Sequence, residues 1–383
     1  MMKTSLHLTA GSVLTFNCPS SGPLYDQVAG IVTRMGETPK EETQHVELPL
    51  LDCNNVTIAL KDVLAVETSP PHTFPHSPEL ILMAAVRRKS TRPESIPEES
   101  APGPAVKMTI GMATYDDYDG VYFTIQALRL YHPEILSDVE FIVIDNNPAG
   151  PCAKTLKALE SHIPNYRYVP HADKSGTTVR DLIFDQSNGK YVLCMDCHVF
   201  VVPGALKKLL EHFDTAPDTI DLLQGPLLYD NLTSMATHFQ PEWNEGMYGH
   251  WAMDDAGSEI DAKPFDIPMQ GLGLFACKRS AWPGFSQKFS GFGGEEGYIH
   301  EKFRQAGGRT LCLPFLRWVH RFDRPLGIPY RNNWEDRIRN YLIGFSELGL
   351  DTAPVRAHFG EFLGQDVADR IIAPIDAELE HSQ

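Results

Sequence analysis

Two runs constrain this chain most: FIVIDNN (141–147) and YVLCMDCHVF (191–200). Each strings apolar residues together without the polar alternation of a half-exposed strand, then breaks into acidic or amide residues. Short runs of this kind read as strands buried on both faces. A strand covered on both sides needs helices above and below it. MTIGMATY (108–115) and YRYVPH (166–171) read as further strands. Between them VYFTIQALRLY, TLKALESHI, TTVRDLIFDQS and GALKKLLEHF read as helices, with Phe123, Leu128 and Leu130 among the apolar positions of the first. The alternation predicts an α/β fold, a mostly parallel sheet flanked by helices. In such sheets ligands bind beyond the carboxyl ends of the strands, which puts Asp145 and Asp196 where chemistry is expected.

The flanks have a different rhythm. Residues 1–86 carry the β-type runs GSVLTFNC, HVELPLL, NVTIAL, VLAV and ELILMAAV between Gly, Pro and Asn, and predict a small β-rich accessory domain. RRKSTRPESIPEESAPGPAV (87–106) has no periodicity and reads as a Pro/Ser/Glu-rich linker. The α/β domain is expected over 107–325. A C-terminal helical extension is expected over 326–383, in NNWEDRIRNYLIGFSEL and DVADRIIAPIDAEL.

A formal net charge of −17 opposes binding to nucleic acid or an anionic membrane, although basic residues cluster at 87–92 and 317–331. No apolar run is long enough to predict a membrane span. MMKTSLHLTAGSVLTFNC, with one lysine and a broken apolar stretch, makes a poor signal peptide. The seven cysteines are odd in number and scattered, which fits a reducing compartment, so a cytoplasmic protein is expected. Cys194 and Cys197 form a C-x-x-C, but no second ligand pair follows at zinc spacing. A redox pair would open a helix, whereas this one closes a strand, so buried cysteines are the expectation.

In an extended chain residues i and i+2 project to the same side, so Asp196 and His198 are expected to point together with Cys197 facing away. A carboxylate and an imidazole converging at a strand end can chelate one divalent cation, and mixed oxygen and nitrogen ligation suits Mn²⁺ better than Mg²⁺. Equally, Asp196 caps the next helix beside a solvated histidine. Spacing alone leaves both readings open.

Four landmarks in order narrow the choice: MATYDD (112–117), VIDNNPAG (143–150), YVLCMDCH (191–198) and MQGLGLFACKRSAWPGFSQKFSGFGGEEGYIHEKFRQAGGRTLCLPFLRWVHRF (269–322). Over roughly residues 107–335 the chain resembles nucleotide-sugar glycosyltransferases of the GT-A fold, family-2-like. The D-x-H form is similar to that of the polypeptide N-acetylgalactosaminyltransferases. The resemblance implies a GT-A catalytic domain over 107–325 and a nucleotide-sugar donor, a UDP-sugar, held with Mn²⁺ (or Mg²⁺). It implies metal ligation by Asp196, His198 and His320, and donor contacts from Thr114, Asp116, Asp145 and Arg180. Gly271 and Gly273 would lie beneath the donor sugar, and Glu295 and Glu296 in the acidic motif under the reacting sugar. There are departures. Arg180 lies four residues after Gly176 where the family's arginine lies five after its glycine, and Glu296 stands in place of the family's Asn. The compared transferases carry a membrane anchor and work in the secretory pathway; with neither signal here, a secreted-protein acceptor is not expected.

Breaking the anomeric bond adds charge to the leaving diphosphate, which a cation stabilises as a Lewis acid. The loop HRFDRPLGIPYR (320–331) is expected to bring Arg321, Arg324 and Arg331 over that diphosphate. Glu295 and Glu296 would either deprotonate the acceptor, as in an inverting enzyme, or orient it, as in a retaining one. The D-x-H pattern with a distant His leans to the retaining group. Gly271-Leu-Gly273-Leu-Phe-Ala276 fits a dinucleotide fingerprint but lies far past the first strand and lacks the following helix and acid. Two rivals stand: a sugar nucleotidyltransferase, which needs a Gly-rich basic loop where MATYDDYDG is acidic, and a degenerate transferase module kept for binding or assembly. The acceptor stays open between glycan, protein, metabolite and modified nucleic-acid base. The N-terminal segment is read either as recruiting the acceptor or as forming a homo-oligomer.

Overall fold

The computed structural model describes residues 106–380 apart from 174, 175, 325 and 326; before these it describes residues 2–8, 13–18, 28, 45–48, 56–59 and 63–69. The chain divides into two compact units, Met1–Ala101 and Pro102–Gln383. Strands β1 (Met2–Leu8), β2 (Val13–Cys18) and β5 (Val63–Ser69) form an antiparallel sheet in the order β2-β1-β5, and β3 (His45–Leu48) pairs with β4 (Val56–Ala59). The expected strands at 11–18, 45–51, 55–60 and 63–66 are seen. β1 is new, although MKTSLHL carries the period-two alternation that would have disclosed it. The ELILMAAV run and the stretch 87–105 lie outside the described residues.

The second unit is built on an eight-stranded sheet. Its parallel half comprises β6 (Met108–Thr114), β7 (Val139–Asp145), β8 (Tyr166–Pro170) and β9 (Tyr191–Asp196). Between these strands run α1 (Tyr118–Tyr131), α2 (Ala153–Ala158) and a 3₁₀ turn (Thr177–Arg180) leading into α3 (Asp181–Gln186). Beyond β9 come β10 (Val199–Val201), α4 (Ala205–Thr215), β11 (Leu222–Gln224), β12 (Leu227–Leu228), β13 (Met235–Ala236) and the hairpin β14 (His238–Asn244) with β15 (Met247–Ala252). Then follow β16 (Phe265–Asp266), β17 (Leu274–Lys278), α5 (Glu295–Gln305), β18 (Thr310–Cys312) and β19 (Trp318–His320). The large sheet has the order β16-β18-β11-β17-β9-β6-β7-β8, with β17 antiparallel to both its neighbours. Helices α6 (Trp334–Glu347), α7 (Ala353–Leu363) and α8 (Gln365–Glu380) complete the chain. α7 and the β14–β15 hairpin were not foreseen. No helix among the described residues is long and apolar enough to cross a membrane.

The unalternating strands have a direct explanation. Leu193 and Met195 face one core cluster, with Val121, Ile125 and Leu128 of α1 and Leu206 and Leu209 of α4. Val192 and Cys194 face the other, with Ile183, Ile299 and Ile338 from α3, α5 and α6. Each such aliphatic side chain, fully buried, contributes about 1.5–3 kcal/mol, so both faces of β9 must be apolar. Of the apolar positions expected on α1, Leu128 is buried, whereas Phe123 and Leu130 are exposed.

Candidate active site

Register brings the site's first residues to one edge. Thr114 lies opposite Asp145, and Ala113 opposite Asp196, so three strands end at the same level. The chain then leaves the large sheet: the Asp196 N–H donates to Gly273 O (2.9 Å), and Cys197 and His198 form a turn. Thr124 Oγ1 donates to Cys197 O (3.0 Å), which pins that turn to α1. β10 joins a second, four-stranded sheet, order β10-β19-β12-β13, in which Val199 pairs with His320. The expectation of an extended Asp-Cys-His is therefore corrected. A change of sheet, not strand alternation, brings Asp196 and His198 together, and Cys197 does not face away, its Sγ being 3.6 Å from His198 Nδ1.

His320, more than a hundred residues on, completes a cluster with Asp196 and His198 whose ligand-capable atoms lie within 4.8 Å of one another. The two rings meet edge to face at 4.8 Å. Asp196 Oδ2 is 3.3 Å from His320 Nε2, and its Oδ1 accepts from Arg180 Nη2 at 3.2 Å. Burial opposes its charge, but the His320 contact and the Arg180 guanidinium outweigh it and hold the carboxyl well below the usual range. His198 Nδ1 lies 3.1 Å from Asp117 Oδ2, and its Nε2 lies 3.0 Å from Arg324 Nη2. A carboxylate only accepts and an arginine only donates, so Nδ1 carries the hydrogen and Nε2 a lone pair. His320 Nδ1 is buried with no hydrogen-bond partner among the described residues. One carboxylate and two imidazoles fit a divalent cation that accepts oxygen and nitrogen donors.

Asp196 and His198 open on a cavity of about 400 Å³, and His320 stands behind them, outside its lining. Its wall includes Thr114, Asp116, Arg180, Asp196, His198, Arg321 and Arg324, all expected, and Tyr115, Asp117, Asn146, Phe292 and Tyr330, which were not. Asp117 caps α1 through the Gly120 N–H (3.0 Å) and also accepts from Arg321 Nη2 (2.7 Å). Burial would raise its carboxyl, but the His198 and Gly120 hydrogen bonds and the Arg321 charge bring it down to about 2. Its position just before an apolar-periodic helix was a legible capping signal.

Arg180 joins the two acidic centres. Held by Thr177 Oγ1 (2.8 Å), it lies between Asp196 and Glu295, whose Oε1 is 3.7 Å from Nη1. Burial disfavours its charge, but those two carboxylates keep its pKa above the ordinary value. Gly176 makes the approach possible: at φ +106°, a Cβ there would meet Gly291 O at 2.0 Å. Glu295 Oε2 is buried and unpartnered, and burial together with the Glu295 charge pushes Glu296 up to about 8.

Other expected residues lie behind the wall. Asp145 is buried, both its oxygens taken by the Asn147 N–H (2.9 Å) and the Tyr168 hydroxyl (2.7 Å), so Asn146 and Asp116 face the cavity there. Gly271 and Gly273 do not line it. A Cβ on Gly273 would meet the Trp318 ring at 2.9 Å, so this glycine lets β19 approach β17 and sets His320. Glu295 and Glu296 also stay outside the cavity lining. Arg331 turns away to Asp336 (3.4 Å). Cys194 and Cys197 lie in different core clusters and fall in no common metal-capable group among the described residues; burial pushes Cys194 up to about 12.

Residues 109–282 match the glycosyl transferase family 2 model. Those residues form a family-2-like glycosyltransferase domain. Its fold is GT-A, a mixed α/β sheet with flanking helices. Among solved structures it is similar to GalNAc-T7 crystallised with UDP, GalNAc and Mn²⁺ (TM-score 0.50, 13% identity, 71% of this chain and 57% of that one). It is also similar to TarS of S. aureus with UDP-GlcNAc (0.43, 12%, 68% and 72%). A third is the mannosyltransferase PcManGT of Pyrobaculum calidifontis with GDP-Man and Mn²⁺ (0.43, 15%, 79% and 83%). The first likeness is one of fold, and the two weaker ones add no argument to it. No curated protein matches the transferase significantly. The family match ends before Glu295, His320, Arg321 and Arg324; the geometry joins them to the site, Glu295 through Arg180.

Proposed function

We propose that this glycosyltransferase moves a hexosyl group from a nucleoside diphosphate sugar, a UDP-sugar, to an acceptor hydroxyl. The observation that carries the reading is the cluster of Asp196, His198 and His320, of which Asp196 and His198 line a cavity whose wall also presents Arg321 and Arg324. A divalent cation, Mn²⁺ as in the GalNAc-T7 crystal, would be held by those three residues and would supply Lewis-acid stabilisation of the leaving diphosphate. Thr114, Tyr115, Asp116 and Asn146 form the wall suited to the nucleoside. Arg321 and Arg324 add positive charge for the phosphates, and Phe292 and Tyr330, with rings 4.3 Å apart, limit water. Arg180 fixes the Asp196 carboxylate and offsets its charge.

Glu295 and Glu296 stand on the acceptor side. Neither lines the cavity, and Glu295 already faces Arg180, which favours orientation of the acceptor over removal of its proton. The reading is therefore a retaining transfer in which the leaving phosphate takes the proton. The acidic Tyr115-Asp116-Asp117 turn disfavours a nucleotidyltransferase, which would bind triphosphate there. Residues 107–325 are taken as the catalytic domain, with N- and C-terminal accessory pieces.

The test is isothermal titration of UDP into metal-stripped protein with and without Mn²⁺, beside His320→Ala. Mn²⁺-dependent binding that is lost in the variant is expected. No binding under either condition would overturn the UDP reading and put a degenerate binding module in its place.

A further inference from the structure

We infer that Arg324 is a built-in competitor of the divalent cation: it holds the one lone pair that His198 can offer, and cation entry displaces it, most readily onto the donor diphosphate. This rests on the metal site proposed above. His198 Nδ1 is committed to Asp117 at 3.1 Å, which leaves Nε2 as the only acceptor on the ring, and Arg324 Nη2 sits on it at 3.0 Å. One lone pair serves one partner. Arg180 differs in this respect, because it takes one lone pair of Asp196 Oδ1, and a carboxylate has several to offer. Arg321 differs too, since its guanidinium bonds Asp117, and its tie to His198 is a backbone one, from its N–H to His198 O (3.2 Å).

Arg324 also has somewhere to pivot. Its Nη1 bonds the Tyr330 hydroxyl at 3.1 Å, and its guanidinium lies 5.7 Å from the centre of that ring. Tyr330 packs on Phe292 at 4.3 Å and approaches Tyr115 at 6.0 Å, so the pivot belongs to the cavity wall. Released from His198, the guanidinium stays within the cavity and meets whatever anion enters it. A nucleoside diphosphate is such an anion, and it arrives where the cation does. Cation alone must displace Arg324 with no replacement partner on offer. Cation with diphosphate displaces it onto one. The affinity for cation alone is reduced by the fraction of molecules in which His198 is free, and the two ligands bind with positive coupling.

The experiment measures Mn²⁺ binding by paramagnetic resonance of the free ion to the full chain, Arg324→Gln and Arg331→Gln, each with and without saturating UDP. Arg331 is an exposed arginine paired with Asp336, and its variant controls for loss of one positive charge. Arg324→Gln is expected to bind Mn²⁺ alone about tenfold tighter than the native chain and to gain less on adding UDP. Arg331→Gln is expected to stay within about twofold. Unchanged or weaker binding of Mn²⁺ alone by Arg324→Gln overturns the inference and leaves the metal site standing, as does equal tightening in both variants. No Mn²⁺ binding by the native chain, with or without UDP, removes the metal site and the inference with it.

Discussion

Asp117 gathers four donors at one side chain: the Gly120 N–H, the Arg321 guanidinium, His198 Nδ1 and, at 3.7 Å, the Cys197 thiol. It fixes the tautomer of a proposed ligand in the way outer carboxylates orient metal-binding histidines. Asp117→Asn keeps the shape but can present an N–H to Nδ1. Mn²⁺ affinity is expected to fall by about tenfold or more, read by titration. Glu296 illustrates the opposite balance. Its half-buried carboxyl, beside the Glu295 charge, is pushed up to about 8 in the folded state, whereas the unfolded chain releases that proton near the ordinary value. Between those values the folded state binds more protons, so this group makes stability fall as pH rises. Glu296→Gln should therefore raise the melting temperature at pH 9 by at least about 2 °C, with the difference closing toward pH 4.5. A variant that melts equally at both pH values would contradict that assignment.

At the scale of elements, the site depends on two places where backbones nearly touch. The Gly176–Gly291 bridge couples the Thr177–Arg180 turn to the loop that enters α5. Any Cβ on Gly176 forces these segments apart at a positive φ that side chains avoid. Gly176→Ala is expected to destabilise the fold by about 3 kcal/mol, measured by denaturant unfolding, and to uncouple Arg180 from Asp196. The change of sheet between β9 and β10 is the other such feature. It places His198 in the turn just before β10, beside His320 on the neighbouring strand β19 of the small sheet, while Asp196 remains at the end of the large one.

For the whole molecule, every residue of the cavity wall lies in the unit Pro102–Gln383. That unit carries both core clusters, one on each face of the eight-stranded sheet. Residues 102–383 alone are therefore expected to bind UDP with Mn²⁺ within about threefold of the full chain. A larger loss would assign the first unit a part in donor binding.

The sequence by itself determined the strand–helix alternation, the doubly buried strands and the strand ends that carry Asp145 and Asp196. These follow from local hydrophobic pattern, which one stretch of chain displays in full. It also marked His198, Arg180, Arg321 and Arg324. Only the tertiary structure decided which of them meet. Asp145 and Asp196 carry the same sequence signal, yet Tyr168 and Asn147 take up one while the other faces His320. Arg324 and Arg331 share a loop, yet one reaches His198 and the other Asp336. The partners come from distant segments brought together by sheet register and by a change of sheet, and periodicity within a segment carries no information about either.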